Sequence, residues 1–239
     1  MHGDTGTAKK IKLLSDGTFT IDGGMLVYGV PRYYGVKFQA KLQPLYIESG
    51  EERIIVDTGV GDLTEDLRRI YDVKKDISLP DSLGSSGISP EDITMVINTH
   101  LHFDHTGYNR LFQNARFISQ EEEIAYSRSP DRFQKGGYYI PSIAGIEFDA
   151  VTGEKEVAPG VTVIPTPGHT PGHQSVMVEL DEQIVIYTGD VSPLAVNREK
   201  KYIVGILHNP VQALSSLNKL DRMGSHRPRK SKRFIYSHE

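Results

Sequence analysis

The sequence predicts an α/β fold from three observations. Short apolar runs of strand length alternate along the 239 residues with segments whose apolar residues have helical spacing. Several apolar runs end at a polar residue, and strand ends are where α/β proteins usually build a functional site. Hydrophobic residues make up 38% of the chain and charged residues 24%, which is typical of a globular protein. We expect residues 1–239 to form one domain.

Most of the predicted elements are strands. Partial alternation of apolar and polar residues indicates two long strands in the first fifty residues. Short apolar runs that stop at turn residues indicate further, buried strands. In chain order, the predicted strands span residues 11–21, 39–48, 53–56, 93–97, 116–119, 161–165, 175–180, 183–187 and 233–236.

Helical spacing predicts three helices, over residues 62–71, 120–127 and 210–220. In the first of them, Leu63, Leu67 and Ile70 share one face, as in an amphipathic helix. In the second, the acidic run 121–123 is interpreted as a solvent-facing surface. Helices therefore separate the predicted strands at several points along the chain, as an α/β fold requires.

Two segments are predicted to be irregular loops, 22–37 and 128–146, because they are rich in glycine and tyrosine. Loops of this length often line a substrate cleft or a subunit interface, so a homodimer through these segments is one expectation. Tyr138 or Tyr139 would then supply a hydroxyl to a substrate, although packing is the simpler role for each.

Composition excludes several classes of partner and site. The net charge of −4 and the lack of a basic face argue against a nucleic-acid partner. No apolar run approaches the roughly 20 residues that span a bilayer, so no membrane partner is expected. The first residues lack the apolar core of a signal peptide, so we expect a cytoplasmic protein. Because the sequence contains no cysteine, metal ligands must be histidines and carboxylates.

The segment from His100 to His105 concentrates metal-binding side chains at the end of a predicted strand. Alternate residues of an extended chain point the same way, so His100 and His102 can bind one ion. Asp104 and His105 follow directly, and a turn there would direct them to a second point. Ions in two-metal hydrolases lie about 3.5–4 Å apart, which suits such a displacement. Packing alone does not explain three histidines and an aspartate in six residues.

This segment, His-Leu-His-Phe-Asp-His at 100–105, resembles the H-x-H-x-D-H signature of the metallo-β-lactamase superfamily. Three further motifs of that superfamily are matched in the expected order: Thr166-Pro167-Gly168-His169, Thr188-Gly189-Asp190 and Tyr236-Ser237-His238. The strand that ends in residues 57–59 matches as well. The resemblance implies an αββα four-layer sandwich, in which two mixed sheets pack together and helices cover their outer faces.

The resemblance also implies a binuclear metal centre. The first ion would be bound by His100, His102 and His169, and the second by Asp104, His105 and His238, with Asp190 bridging the two ions. This donor set suits two divalent ions, with zinc first and iron or manganese as alternatives. A hydroxide that bridges the ions would be the nucleophile. Asp104 would pass its proton to the leaving oxygen, so Asp104 and Asp190 are the expected catalytic residues.

Within the superfamily, the bridging Asp190 and the segments 22–25 and 99–107 resemble the N-acyl-homoserine lactonase-like branch. The implied activity is hydrolysis of a small ester or lactone. Phosphotriester, phosphodiester and thioester hydrolysis on the same site remain alternatives, and a non-catalytic role is a further one. Glutathione thioesterases carry an extra helical domain, which we do not expect here because the sequence stops one residue after His238. Lactonases of this branch often place a tyrosine where this chain has Pro193.

Two further polar residues lie close to the predicted ligands in the sequence. Asp57 ends a strand and is expected either to orient a ligand or to cap a turn. His173 lies four residues beyond His169, and an orienting role and a structural role are both open for it. Each role places the residue behind the ligands rather than among them.

Overall fold

Two mixed β-sheets pack face to face in the computed structural model, which describes residues 6–225 and 230–239. The strands are β1 (Lys10–Leu13), β2 (Thr18–Asp22), β3 (Lys37–Lys41), β4 (Leu45–Ser49), β5 (Glu52–Val56), β6 (Met95–Ile97), β7 (Arg116–Gln120), β8 (Phe148–Val151), β9 (Lys155–Ala158), β10 (Val161–Pro165), β11 (Gln174–Glu179), β12 (Gln183–Tyr187) and β13 (Ser231–Ile235). The α-helices are α1 (Gly23–Leu26), α2 (Glu65–Ile70), α3 (Leu79–Gly84), α4 (Phe103–Thr106), α5 (Glu121–Ser127), α6 (Ile140–Ile143), α7 (Ala195–Lys200) and α8 (Pro210–Arg222).

The order of the strands brings distant parts of the chain to the same sheet edge. The first sheet has the order β1-β4-β5-β6-β7-β8, with parallel pairing from β5 to β8. The second has the order β13-β12-β11-β10-β9, in which only β12 and β13 are parallel. Parallel neighbours end at the same edge, so the residues after β5 and β6 lie side by side, as do those after β12 and β13.

The core lies between the two sheets. Leu45, Ile47 and Ile54 of the first sheet pack there against Val163 and Val176 of the second. Because strand residues alternate between faces, Tyr46 and Ile55 point the other way. They pack on α3, which covers the outer face of the first sheet. A strand buried on both faces needs an almost unbroken apolar run, which is what the sequence has at 53–56.

Helix α8 covers the outer face of the second sheet. Pro210 occupies its first turn, and the side chain of Asn209 caps it by accepting hydrogen bonds from two backbone N–H groups. Leu217 and Leu220 are buried against the sheet with Ile184 and Ile186. With α3 on the opposite side, the layers follow the order helix, sheet, sheet, helix, and the predicted sandwich is confirmed.

The structure corrects the two long strand predictions. The segment 11–21 forms two strands, β1 and β2, because the chain turns at Gly17 with φ of +83°. The segment 39–48 is likewise divided into β3 and β4, on either side of Pro44. Strands β8 and β9 and helices α3 and α7 were not predicted, since their apolar runs are too short to show a period.

Two other predictions about the surface were wrong. Ile70, expected to share one helix face with Leu63 and Leu67, is 68% exposed, and Leu63 lies before the start of α2 at Glu65. The segment 128–146 is more ordered than a surface loop, since it contains α6 and buries Gln134 and Tyr138. No helix among the described residues is long and apolar enough to cross a bilayer.

Candidate metal centre

The residues that follow the strands of both sheets meet at one place. Asp57 follows β5, His100 follows β6, His169 follows β10, Asp190 follows β12 and His238 follows β13. The chain is extended at His102 and turns into α4 directly afterwards, which redirects Asp104 and His105 as the sequence predicted. The structure thus brings the seven expected ligands together in two groups: His100, His102 and His169; and Asp104, His105, Asp190 and His238. Within each group the donor atoms lie within 4.8 Å of one another.

In the first group, three imidazole nitrogens converge on one point. His169 Nε2 lies 3.1 Å from His100 Nε2 and 3.0 Å from His102 Nδ1. His169 Nδ1 donates a hydrogen bond of 2.6 Å to the carbonyl of Ile206, so the lone pair of Nε2 faces its neighbours. Ligands of a tetrahedral zinc ion at about 2.1 Å lie about 3.4 Å apart, which is close to these separations.

The charge state of these imidazoles suits a metal. Burial lowers the pKa of His100 well below its ordinary value, and the neighbouring imidazoles of His105 and His169 add to the shift. Burial lowers the pKa of His102 in the same way. Both rings therefore stay neutral at physiological pH, and a neutral imidazole is the form that binds a metal.

The second group combines two imidazoles with two carboxylates. His238 Nε2 lies 3.5 Å from Asp104 Oδ2 and 3.3 Å from Asp190 Oδ1. Nε2 of His105 is buried and makes no hydrogen bond, although it lies 3.4 Å from Asp190 Oδ1. A buried nitrogen without a partner is costly unless something is bound to it. The residues present therefore fit a cation at this point.

Negative charge dominates the second group. Burial opposes the charged form of His105, but the carboxylates of Asp57, Asp104 and Asp190 raise its pKa well above the ordinary value. Burial likewise opposes the charged form of Asp190, but the imidazoles of His238 and His105 lower its pKa well below the usual range. Carboxylates that stay ionised when buried attract a cation to the point between them.

Asp190 lies between the groups with one oxygen facing each. Its Oδ2 is 3.5 Å from His169 Nε2, whereas its Oδ1 faces the second group and accepts a hydrogen bond of 2.7 Å from Ser237. His173 Nε2 accepts a hydrogen bond of 2.9 Å from the backbone N–H of Asp190, so His173 holds this residue in place. Gly189 has φ of +57°, and a Cβ there would lie 2.6 Å from His173 Nε2.

Hydrogen bonds directed away from the cluster orient the imidazoles. Asp57 accepts a hydrogen bond of 2.7 Å from His105 Nδ1, and it also accepts hydrogen bonds from the backbone N–H and the hydroxyl of Thr99. Asp57 therefore orients His105, which is one of the two roles that the sequence suggested for it. His238 Nδ1 donates to the carbonyl of Lys41 over 2.9 Å. Bonds of this kind fix the tautomer and direction of a metal-binding histidine.

The sequence did not reveal Glu123 as part of the site. Its carboxylate, interpreted as a solvated surface group, is fully buried and accepts four hydrogen bonds, from the N–H groups of Leu101 and Gly172 and the hydroxyls of Tyr138 and Thr170. Burial raises its pKa, and these hydrogen bonds oppose that shift. The available signal was position, since α5 begins at the end of β7, on the edge where the other site residues lie.

An apolar pocket of about 210 Å³ opens onto the two groups. Its walls come from the β2–α1 region, from Tyr71 directly after α2, from α4, and from the loops around residues 133–137 and 204–206. The apolar lining residues are Phe19, Ile21, Met25, Leu26, Phe103, Phe133, Val204 and Ile206. Lysine and arginine are absent from the described residues that line it. The pocket therefore suits a substrate with an apolar part and no strong negative charge.

Comparison with known proteins gives a consistent result. The sequence profile of the metallo-beta-lactamase superfamily matches residues 45–230. The N-acyl homoserine lactonase AttM of Rhizobium radiobacter is 34% identical over 155 residues, which cover 61% of this chain and 59% of that protein. An N-acyl homoserine lactonase of Bacillus cereus is 30% identical over 186 residues, with 73% of this chain and 72% of that protein covered. The chain therefore spans less than two thirds of the Rhizobium relative.

Solved structures agree over almost the whole chain. A quorum-quenching N-acyl homoserine lactone lactonase superposes with a TM-score of 0.81 at 27% identity, covering 97% of this chain and 92% of the other. An N-acyl homoserine lactone hydrolase with N-hexanoyl-L-homoserine bound at its catalytic metal centre superposes with a TM-score of 0.82 at 26% identity, covering 97% and 94%.

Proposed function

Because the chain belongs to the metallo-beta-lactamase superfamily, we propose that it is a binuclear metal-dependent hydrolase that opens lactone rings, with N-acyl homoserine lactones as the substrate class. The observation that carries this proposal is the arrangement of seven donor side chains in two groups at the end of an apolar pocket. Relatives that carry the name N-acyl homoserine lactonase support the substrate class.

We assign the two groups to two divalent ions that share Asp190. Histidine nitrogen and carboxylate oxygen together favour zinc, with iron or manganese as alternatives. Such a pair of ions supplies a water-derived nucleophile near neutral pH and polarises the carbonyl of the substrate. Side chains of the protein carry out the remaining steps, which are proton transfer and substrate binding.

Asp104 is placed to move a proton. Its carboxylate lines the pocket and is 10% exposed, so it can reach a substrate above the cluster. Asp104 can take a proton as the ring carbonyl is attacked and return it to the oxygen that leaves when the ring opens. Asp190 has one oxygen toward each group and accepts a hydrogen bond from Ser237, so we assign to it the role of holding the two groups at a fixed separation.

The pocket walls favour a neutral substrate with an acyl chain. Phe19, Ile21 and Leu26 offer apolar surface to such a chain, beside the two groups of donor atoms. A glutathione thioester would place carboxylates away from the two ions, against walls whose described residues include no lysine or arginine to pair with them. A neutral phosphotriester fits these walls, so it is the second candidate substrate.

Pro193 occupies the position where related lactonases often have a tyrosine, so another hydroxyl must serve the substrate. Tyr138 is not available, because its hydroxyl donates a hydrogen bond of 3.0 Å to the buried Glu123. Tyr71 lines the pocket, and it is the only hydroxyl-bearing residue among the described ones that do so. We assign to Tyr71 the donation of a hydrogen bond to the substrate.

The test is a screen of zinc-loaded protein against N-acyl homoserine lactones of several chain lengths, aryl esters, phosphotriesters and thioesters. We expect lactones to give the highest kcat/KM, and to give a higher value with longer acyl chains than with short ones. His102→Ala should lose bound metal and activity, while His208→Ala should keep its metal because His208 lies outside both groups. Turnover of thioesters or phosphotriesters with no lactone activity would contradict the proposed substrate class.

A further inference from the structure

Gln134 lies directly behind two of the proposed ligands. It belongs to the segment 131–138, most of which is exposed, yet only 2% of Gln134 is exposed. Its Oε1 accepts a hydrogen bond of 3.1 Å from His102 Nε2, and its Nε2 donates one of 2.9 Å to the carbonyl of His169. One amide side chain therefore connects two members of the first group.

This contact decides which nitrogen of His102 faces the cluster. The backbone carbonyl of His169 can only accept a hydrogen bond, so the N–H₂ group of Gln134 must face it. Oε1 of Gln134 then faces His102 and can only accept. His102 Nε2 must then carry the proton, and the lone pair is on Nδ1, which lies 3.0 Å from His169 Nε2. His102 therefore faces the first group of ligands through Nδ1.

The other histidines are oriented differently. His105, His169 and His238 point Nε2 at the cluster and use Nδ1 for an outward hydrogen bond. Their partners are the carboxylate of Asp57 and two backbone carbonyls, which belong to the β-sheet edges and adjoining loops. His102 alone among these four depends on a long side chain from the 131–138 segment.

The same segment also packs on the ring of His102. A Cβ at Gly137 would lie 2.6 Å from two ring atoms, so the backbone there contacts the imidazole closely and only glycine leaves it in place. The ring of Tyr138 packs edge-to-face against the imidazole of His102, with the two ring centroids 4.8 Å apart. His102 is therefore held by one short stretch of chain in both its tautomer and its position.

We propose that Gln134 is a positioning residue that fixes His102 as an Nδ1 ligand and so sets the affinity of the first group for its ion. This inference rests on the proposed binuclear centre. Partners behind a metal ligand commonly change metal affinity by about 10- to 100-fold when removed. Loss of the Gln134 amide should therefore weaken the binding of one ion of the pair and leave the other ion bound.

The experiment compares Gln134→Leu, Gln134→Glu and the control Gln113→Leu, which changes an exposed glutamine. Each zinc-loaded protein is titrated with a chelator, and the zinc that remains bound is measured per chain. Cobalt-substituted samples give absorption spectra that report ligand geometry independently of activity. The Leu variant should lose one equivalent at a chelator concentration about 10- to 100-fold lower than wild type, with an altered cobalt spectrum.

The Glu variant should restore part of the affinity, because a carboxylate oxygen can still accept from His102 Nε2. Gln134→Ala, which also lacks an acceptor, replaces the Leu variant if that protein does not fold. The inference is overturned if the Leu variant, or the Ala variant in its place, keeps both equivalents with wild-type affinity and spectrum. A wild-type protein that binds no zinc would instead overturn the metal centre itself, so the two failures are distinguishable.

Discussion

At the scale of single residues, the strength of the centre depends on groups that bind no metal. Asp57, His173 and Glu123 each contact a ligand or the backbone beside one. Each is buried and fully engaged in hydrogen bonds that come from different strands and loops. The proposed ligands would supply the chemistry, whereas these residues hold the proposed ligands in position.

Tyr71 gives the first prediction. Burial and the negative charge of Asp104 raise its pKa above the ordinary value of 10.0, so the phenol remains a neutral donor at every working pH. Tyr71→Phe should lower kcat for lactones by about tenfold or more, as expected for the loss of one hydrogen bond to the reacting group, while bound zinc is unchanged. Steady-state kinetics from about pH 6 to pH 9 should show the same deficit throughout. A variant with wild-type kcat would exclude this role.

Glu123 gives the second prediction. All four of its partners are donors, so an amide in its place would turn an N–H₂ group toward two of them. Glu123→Gln should lower the free energy of unfolding by about 1–3 kcal/mol. The neighbouring Glu122 is exposed, and Glu122→Gln should change the free energy of unfolding by no more than about 0.5 kcal/mol. Urea denaturation of both variants makes the comparison, and equal stabilities would refute the assignment.

The local spacing of ligands was predictable, whereas their supports were not. His100 and His102 could be paired from sequence because alternate residues of an extended chain share a side. Gln134 and Glu123 escaped notice because each bonds a partner far away in the chain, His169 at 35 residues from Gln134 and Thr170 at 47 residues from Glu123. No local period marks a contact of that kind.

At the scale of elements, the predictable parts are those whose burial shows a clear pattern. β12 over Gln183–Tyr187 and β10 over Val161–Pro165 match the predicted bounds, since each is a mainly apolar run between turns. β1 and β2 were merged in the prediction because only residues 14–17, which end at Gly17, separate two patterns that continue each other. The apolar spacing in the sequence predicted a helix over residues 210–220, and in the structure α8 continues two residues further, to Arg222.

Helix α8 gives the third prediction. Leu217 is fully buried against the second sheet, whereas Leu214 on the same helix is 44% exposed. Leu217→Ala should lower the free energy of unfolding by about 2–5 kcal/mol, since it leaves a cavity in the packed layer. Leu214→Ala should cost less than about 1 kcal/mol. Chemical denaturation measures both, and similar losses would show that α8 does not pack as described.

At the scale of the whole molecule, the two sheets are coupled through the centre. The first sheet contributes His100 and, through the turn into α4, Asp104 and His105, while the second contributes His169 and Asp190. Sequence could order these motifs along the chain and match them to a family, but their meeting point depends on how the sheets pack. Ions that bind residues of both sheets should therefore stabilise the entire fold.

Metal removal gives the fourth prediction. A ligand that binds only the folded state stabilises it by about 2.7 kcal/mol when its free concentration is about 100 times Kd. Dialysis against a chelator should lower Tm, and added zinc should restore it, because the buried carboxylates of the second group lose their counter-charge without an ion. Differential scanning calorimetry of both forms tests this. An identical Tm with and without zinc would argue against any ion bound across the sheets.

The most direct test of the binuclear centre is anomalous X-ray scattering from crystals of the zinc-loaded protein. We predict two peaks about 3.5–4 Å apart, one beside His100, His102 and His169 and the other beside His105 and His238, with Asp190 between them. A single peak, or peaks away from these side chains, would contradict the account.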